Sequence, residues 1–386
     1  MAVKKPVILI TIDWFLPGTA SGGPVRSIAN MIAHLGGDFE FLILTRNTDY
    51  QSTEPYPEIP PNTWVQFDPH TKVYYMSADR LSRKELKRVF DSLDFDLAYI
   101  TGVYSWFFSI MPLQLLKGLK KPILVSARGM LNPQAFTVKP LKKKVFLALA
   151  KTLGLYKGVG FHATNEDEAL HIWKQLGKQV KVQVAPNLPR KVESGPPKEL
   201  HGGQRKWVTV ARIAKEKGTL NIIKALLKVQ EPMVLDLFGP VYDNDYWEPC
   251  RQLILELPDH IKVNYKGAVS GDQIPHLLKD YDFFVLLSEG ENFGHAIFEA
   301  FSQGLPVLIS DQTPWKNLKA RSLGWDLPLE DAKRIASIMD QANLMDGDTY
   351  RNWSASCLAF ARSFSEDPDL MNKNKALFLG AFKPKE

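Results

Sequence analysis

Residues 288–299 read Ser-Glu-Gly-Glu-Asn-Phe-Gly-His-Ala-Ile-Phe-Glu. Glu291 and Glu299 stand out chemically, because a carboxylate accepts hydrogen bonds from paired hydroxyls such as those of a ribose or a sugar ring. The stretch follows an apolar run at 283–287, and Gly294 falls where a helix should begin. Free amides and the dipole at such a start form a seat for an anion. Asn292, Phe293 and His295 flank that seat. Residues 210–218 read Val-Ala-Arg-Ile-Ala-Lys-Glu-Lys-Gly. There Arg212 offers a planar fork and Lys217 a point charge, the pair of cations that a diphosphate needs. A shifted register would put Lys215 in place of Lys217. A third segment, 14–24, reads Trp-Phe-Leu-Pro-Gly-Thr-Ala-Ser-Gly-Gly-Pro. Its Gly22 and Gly23 let backbone approach a ligand at a helix entry. The spacing is not Gly-x-Gly-x-x-Gly, which disfavours a nicotinamide-dinucleotide enzyme. The histidines lack His-x-x-x-His spacing, so no metal site is expected. Asn165 with Glu168 three residues on reads as a helix-capping pair.

The elements that must hold these residues alternate. Short β-branched runs at 7–12, 39–45, 97–100, 123–126, 160–163 and 180–185 read as strands, with helices at 24–35, 81–93 and 166–176. The stretch 186–205 is rich in Pro and Gly, and the alternation restarts after it. Strands are expected at 207–211, 233–238, 261–265, 283–287 and 307–309, with helices between them and a helical region at 331–364. Strand-then-helix repetition argues for parallel sheets covered on both faces, and hence an α/β chain. The expected division is 1–190, a linker at 191–205, a second domain at 206–365, and a tail helix at 366–386 packing back on the first domain. Ligands of such sheets bind beyond the carboxyl ends of the strands.

Composition sets limits. The chain has 386 residues and 2 cysteines, which excludes a disulfide framework or a Cys-rich zinc module. The first residues lack a secretory pattern, so a cytoplasmic protein is expected. Residues 97–116 carry no charge, but Gly102, Pro112 and Gln114 favour a strand, loop and helix over a membrane span. Between residues 97 and 165 there is no Asp or Glu and there are ten Lys or Arg, so the other residues of this +6 chain hold −4. Such a field attracts an anionic partner. Residues 139–151 read as a basic amphipathic helix, and the segment 117–157 as a surface for anionic lipid. The aromatics Tyr104, Trp106, Phe107 and Phe108 lie away from the lysines, which argues against specific nucleic-acid binding.

Glu291, seven residues, then Glu299, with Asn292-Phe293-Gly294 between and Gly304-Leu305-Pro306-Val307 after, resembles the paired-glutamate motif of retaining glycosyltransferases of family 4, which have the GT-B fold. Arg212 to Gly218 resembles that family's Arg…Lys-Gly element. The resemblance implies two doubly wound Rossmann-like domains facing across a cleft, and a nucleotide diphosphate sugar as co-substrate with no metal or other cofactor. It implies donor binding by Glu299, Phe293, Gly294, His295, Asn292, Gly22, Gly23 and the base-contacting turn Gly267-Ala268. It gives Glu291, Arg212, Lys217 and Arg128 catalytic roles. Arg128 stands in Val125-Ser126-Ala127-Arg128-Gly129, where relatives often carry a histidine; a guanidinium cannot act as a base near neutral pH. The implied acceptor is a glycan, lipid-linked, with the enzyme peripheral on the inner face of the plasma membrane and building bacterial surface polysaccharide. Two alternatives stay open at this stage: a nucleotide-sugar epimerase of the same architecture, and a non-catalytic binder of anionic ligands.

Overall fold

The computed structural model describes residues 4–137, 140–193 and 195–382. Lys139, counted above in the basic run, lies outside them. The chain divides into two compact units, Met1–Leu188 with Asp367–Glu386, and Pro189–Glu366.

The first unit holds β1 (Val7–Thr11), β2 (Glu40–Arg46), β3 (Trp64–Asp68), β4 (Thr71–Met76), β5 (Leu97–Thr101), β6 (Ile123–Ser126), β7 (Gly160–Ala163) and β8 (Lys181–Val184). Their order is β3-β4-β2-β1-β5-β6-β7-β8, parallel except for β3 against β4. Ile8, Leu9 and Ile10 are fully buried, as a strand covered on both faces requires. The helix Gly23–Leu35 buries Val25, Ile28, Met31, Ile32 and Leu35, which lie at helical spacing. Residues 97–116 form β5, a turn, a π-helical turn at Trp106–Ile110 and the helix Met111–Leu116. No described helix is long and apolar enough to cross a membrane. The helix Pro368–Leu379 returns to this unit: the Phe378 ring lies 5.4 Å from Phe39 and 5.7 Å from Tyr99.

A directed chain of hydrogen bonds runs through the first unit. Arg128 Nη2 donates to Tyr99 Oη at 2.9 Å. Tyr99 donates to His162 Nδ1 at 2.6 Å, and His162 Nε2 donates to the Ala185 carbonyl at 2.7 Å. Burial pushes the His162 pKa down to about 3, so the ring stays neutral and can accept on one nitrogen while donating on the other.

The second unit holds β9 (Arg205–Val210), β10 (Met233–Phe238), β11 (Ile261–Gly267), β12 (Phe283–Leu286), β13 (Val307–Ser310) and β14 (Gly324–Leu327). Their order is β11-β10-β9-β12-β13-β14, all parallel. The direction of winding reverses between β9 and β12, the place where doubly wound sheets bind ligands. The region 331–364, read above as continuously helical, is two helices, Ala332–Asn343 and Gly347–Ser365. Asp346 starts the second by accepting from the Thr349 amide at 2.9 Å. The segment 191–205, read as a linker, is packed into the second unit. The Lys198 ammonium donates to the carbonyls of Leu278 at 3.2 Å, Lys279 at 2.8 Å and Tyr281, and burial lowers its pKa to about 8.

The neutral His162 carries a pH signature. Its folded pKa of about 3 lies below its ordinary 6.5, so the unfolded chain binds the extra proton between those values. The stability it supports is complete above pH 6.5 and is lost as pH falls toward 3, by roughly 1 kcal/mol per pH unit. Urea unfolding across that interval should show a shallower pH slope for His162→Gln than for the parent; equal slopes would contradict the neutral buried ring.

Candidate active site

Because every strand of the second sheet is parallel, the residues after β9, β11 and β12 share one edge. β9 and β12 are hydrogen-bonded neighbours, about 4.8 Å apart. After β9 the chain runs through Arg212 into the 3-10 turn Lys215–Lys217 and then the helix Thr219–Leu226. After β12 it runs through Glu289 and Glu291 into the helix His295–Ser302. The Glu289 amide donates to the Glu216 carbonyl at 2.9 Å and ties the two loops together.

The predicted cations and one predicted acid meet here. Lys217 Nζ lies 2.6 Å from Glu291 Oε1, with side chains 20% and 12% exposed. Arg212 Nη2 lies 3.1 Å from Glu216 Oε1, and its side chain is 39% exposed. Each cation therefore faces a carboxylate. Glu299, in the second turn of the helix, is 5% exposed. An acid that merely decorated a helix start would be solvated, so neither Glu291 nor Glu299 has that role. Glu299 must be uncovered before it can grip a ligand hydroxyl. Phe293 is buried, and Asn292 and His295 are half-buried beside it. Gly267 ends β11 at φ 78°, and exposed Ala268 follows on the same sheet edge.

Two close approaches fix this geometry. Gly218 has φ 70°, and a Cβ there would lie 1.8 Å from the Leu287 carbonyl oxygen. A Cβ on Gly239 would lie 1.8 Å from the Ala211 oxygen. Only glycine lets these strand-end loops touch backbone to backbone. Gly294 begins its helix at φ 77°. Trp315 Nε1 donates to the Phe293 carbonyl at 2.6 Å, which holds the turn before the helix amides.

The first unit carries the remaining predicted residues. Gly22 has φ 78°, and a Cβ on Gly22 or Gly23 would meet nothing within 4 Å, so that helix entry is open. Arg128 sits at φ 50° after β6, with its guanidinium on Tyr99 and Asn187. These protein acceptors engage the guanidinium to which the resemblance above gave a catalytic role. Glu168, read as a capping partner, does more. Asn165 caps the Glu168 amide at 2.8 Å, but the Glu168 carboxylate accepts from Gly129 N at 2.6 Å and from Thr164 N and Oγ1 at 2.7 Å. It therefore fixes the Arg128 turn.

Sequence reasoning passed over Glu216, Trp315 and Asp13. Asp13, just after β1, accepts from Ser105 Oγ at 2.8 Å and from Arg46 Nη2 at 3.4 Å. It thereby joins the loops after β1, β2 and β5, and burial raises its carboxyl pKa. Its position directly beyond a strand end was the available signal. No group of three or more His, Cys, Asp or Glu able to hold a metal occurs among the described residues.

Residues 193–342 match the family described as glycosyl transferases group 1. A GDP-mannose:cellobiosyl-diphosphopolyprenol alpha-mannosyltransferase from Xanthomonas campestris is 31% identical over 212 residues, 52% of this chain and 53% of the relative. The protein of the same description from Xanthomonas oryzae pv. oryzae is 32% identical over 148 residues, 36% of this chain and 39% of the relative. The chain thus spans about half, or less, of the length of these curated relatives. Among solved structures, sucrose-phosphate synthase from Thermosynechococcus elongatus superposes with a TM-score of 0.73, 17% identity, and 98% and 99% coverage of the two chains. Anabaena HepE in complex with UDP-glucose gives 0.70 at 15% identity, with 97% and 99% coverage. The fold is GT-B.

The steric reading of Gly218 separates it from Gly267, whose Cβ would meet open space. Gly267→Ala should cost about 1–2 kcal/mol from its left-handed backbone alone. Gly218→Ala should cost well beyond that in urea unfolding, because the β9 and β12 loops must part. Equal costs would show that the close approach is not what Gly218 serves.

Proposed function

We propose, from the match of residues 193–342 to the family described as glycosyl transferases group 1, that this chain moves a sugar from a nucleotide diphosphate sugar to a hydroxyl of a lipid-linked glycan. We take the configuration at the anomeric carbon to be retained and the product to serve bacterial surface polysaccharide. The observation that carries the reading is the placement of Arg212 and of the Lys217–Glu291 pair at the ends of β9 and β12, where the sheet order reverses. The relatives support it: the Xanthomonas proteins are named for GDP-mannose and a diphosphopolyprenol, and the HepE structure is a complex with UDP-glucose.

In this reading the bond from the anomeric carbon to the β-phosphate oxygen breaks, and the acceptor oxygen bonds to that carbon. The acceptor proton passes to the leaving phosphate. Negative charge grows on the nucleoside diphosphate, and Arg212, Lys217 and the helix start at Gly294 stabilise it more in the transition state than in the ground state. These fixed cations take the place that a metal holds in other transferases. Glu291 would leave Lys217 for a donor-sugar hydroxyl, and Glu299 would hold the ribose. His295, Asn292 and Phe293 would line the sugar, and Gly267-Ala268 the base. Gly22 and Gly23 would present open backbone to the phosphates. Arg128 would act through the turn it occupies. The basic segment 117–157 would bring the protein to the membrane that bears the acceptor.

Calorimetric titration with GDP, UDP and inorganic pyrophosphate tests the seat. Arg212→Ala and Lys217→Ala should each weaken both nucleoside diphosphate and pyrophosphate by about tenfold or more, as loss of a charged hydrogen bond does. Arg212→Lys should fall between the parent and Arg212→Ala. Glu299→Ala should weaken the nucleoside diphosphate and leave pyrophosphate unchanged. Parent-like binding in both cation variants would refute the seat.

A further inference from the structure

The helix Pro140–Thr152 is apolar on two faces, and only one is packed. Leu147 and Ala150 are buried in the first unit's core, and the Phe146 ring lies 5.4 Å from Tyr104. Lys143 lies on this packed side, 5.6 Å from the Tyr104 ring and hydrogen-bonded to the Ala135 carbonyl. On the other side, Leu141 is 73% exposed, Val145 51%, Leu149 56% and Leu153 81%. Leu153 continues the row because its amide donates to the Leu149 carbonyl at 2.9 Å. Every fourth residue advances by about 40° around a helix, so these four side chains form one oblique ridge. Soluble surfaces seldom leave such a ridge in water.

The flanks of the ridge identify its partner. Lys142, Lys144 and Lys151 are exposed on the same helix, outside its packed face, and none of them pairs with a carboxylate among the described residues. No Asp or Glu occurs anywhere from 97 to 165. Lys117, which donates to the Gly154 carbonyl at 2.9 Å, brings the segment 117–120 beside the end of this helix, and with it exposed Lys120 and Leu119. An apolar ridge on a helix whose other exposed positions include three unpaired lysines fits a surface that is apolar inside and negative at its rim. A protein partner would have to supply acids opposite each lysine; a bilayer of anionic lipids supplies them everywhere.

We propose that the outer face of the helix Pro140–Thr152 enters the interfacial layer of an anionic membrane, with Leu141, Val145, Leu149 and Leu153 inserted and Lys142, Lys144 and Lys151 at the headgroups. The proposal deepens the reading of a lipid-borne acceptor and rests on it for its purpose, while its test needs no turnover.

The experiment is flotation of the full chain with phosphatidylcholine vesicles, with or without about one-third phosphatidylglycerol. The parent should float only with the anionic vesicles, and less as salt rises. Leu149→Gln with Leu153→Gln should weaken binding at least tenfold while the melting temperature stays that of the parent, because both side chains are exposed. Lys142→Gln, Lys144→Gln and Lys151→Gln together should remove the salt dependence. Leu255→Gln, an exposed leucine of the second unit, should leave flotation unchanged. A parent that does not float, a leucine double variant that floats like the parent, or self-association in solution that Leu149→Gln abolishes would overturn the proposal. GDP and UDP titrations on the same samples keep the two readings apart: loss of nucleotide binding bears on the transferase, and loss of flotation on the helix.

Discussion

The candidate site depends on a contact without side chains. The loops after β9 and β12 must lie against each other for Lys217 to reach Glu291, and Gly218 makes this possible by presenting only a hydrogen to the Leu287 carbonyl. Gly239 does the same one strand away, against Ala211. The parallel order β11-β10-β9-β12-β13-β14 then sets the remaining geometry, since it gathers every loop of interest on one edge and reverses its winding between the two strands that carry the charges. Arg212 and Lys217, both after β9, are half-buried, and Glu216 and Glu291 each offset the desolvation of one of them.

Much of this was legible in the residues. The apolar runs of β1, β5, β9 and β12 are short, β-branched and bounded by turn residues, so periodicity places them. Each of Arg212, Lys217, Glu291 and Glu299 alone also reads as a solvated turn or a helix start; they stood out because an Arg…Lys-Gly element and a spaced glutamate pair occur together and in order. What was missed shares one cause: it is decided by contacts between segments remote in sequence. β14 is four residues including a glycine and an aspartate, and only pairing with β13 makes it a strand. The β3–β4 hairpin at the sheet edge has a half-exposed outer strand with weak alternation. Glu168 looked like a cap because its neighbour Asn165 is one; that its carboxylate reaches Gly129, 39 residues away, has no local signature. Trp315 likewise serves a carbonyl 22 residues earlier. The break between the two long helices near residue 346 was visible as an aspartate followed by glycine, and was outweighed by the helical spacing on either side.

The first unit is a different kind of object from the second. It holds a line of polar groups inside, from Arg128 through Tyr99 and His162 to Ala185, and exposes four large apolar side chains in a row along and just after one helix. The line is satisfied only in one tautomer and one direction, which makes it a rigid frame for the turn at Arg128 and Gly129. The frame is locked from the other side by Glu168.

The return of the helix Pro368–Leu379 to the first unit bears on how the molecule is made. Asn374 donates to the Pro186 carbonyl at 2.9 Å, and Phe378 covers Phe39 and Tyr99. On the ribosome, the second unit is therefore fully synthesised while the first still lacks a piece of its core. The earliest-born half of the protein is the last to be finished, and its nascent form must keep two aromatic rings shielded until translation reaches the closing helix.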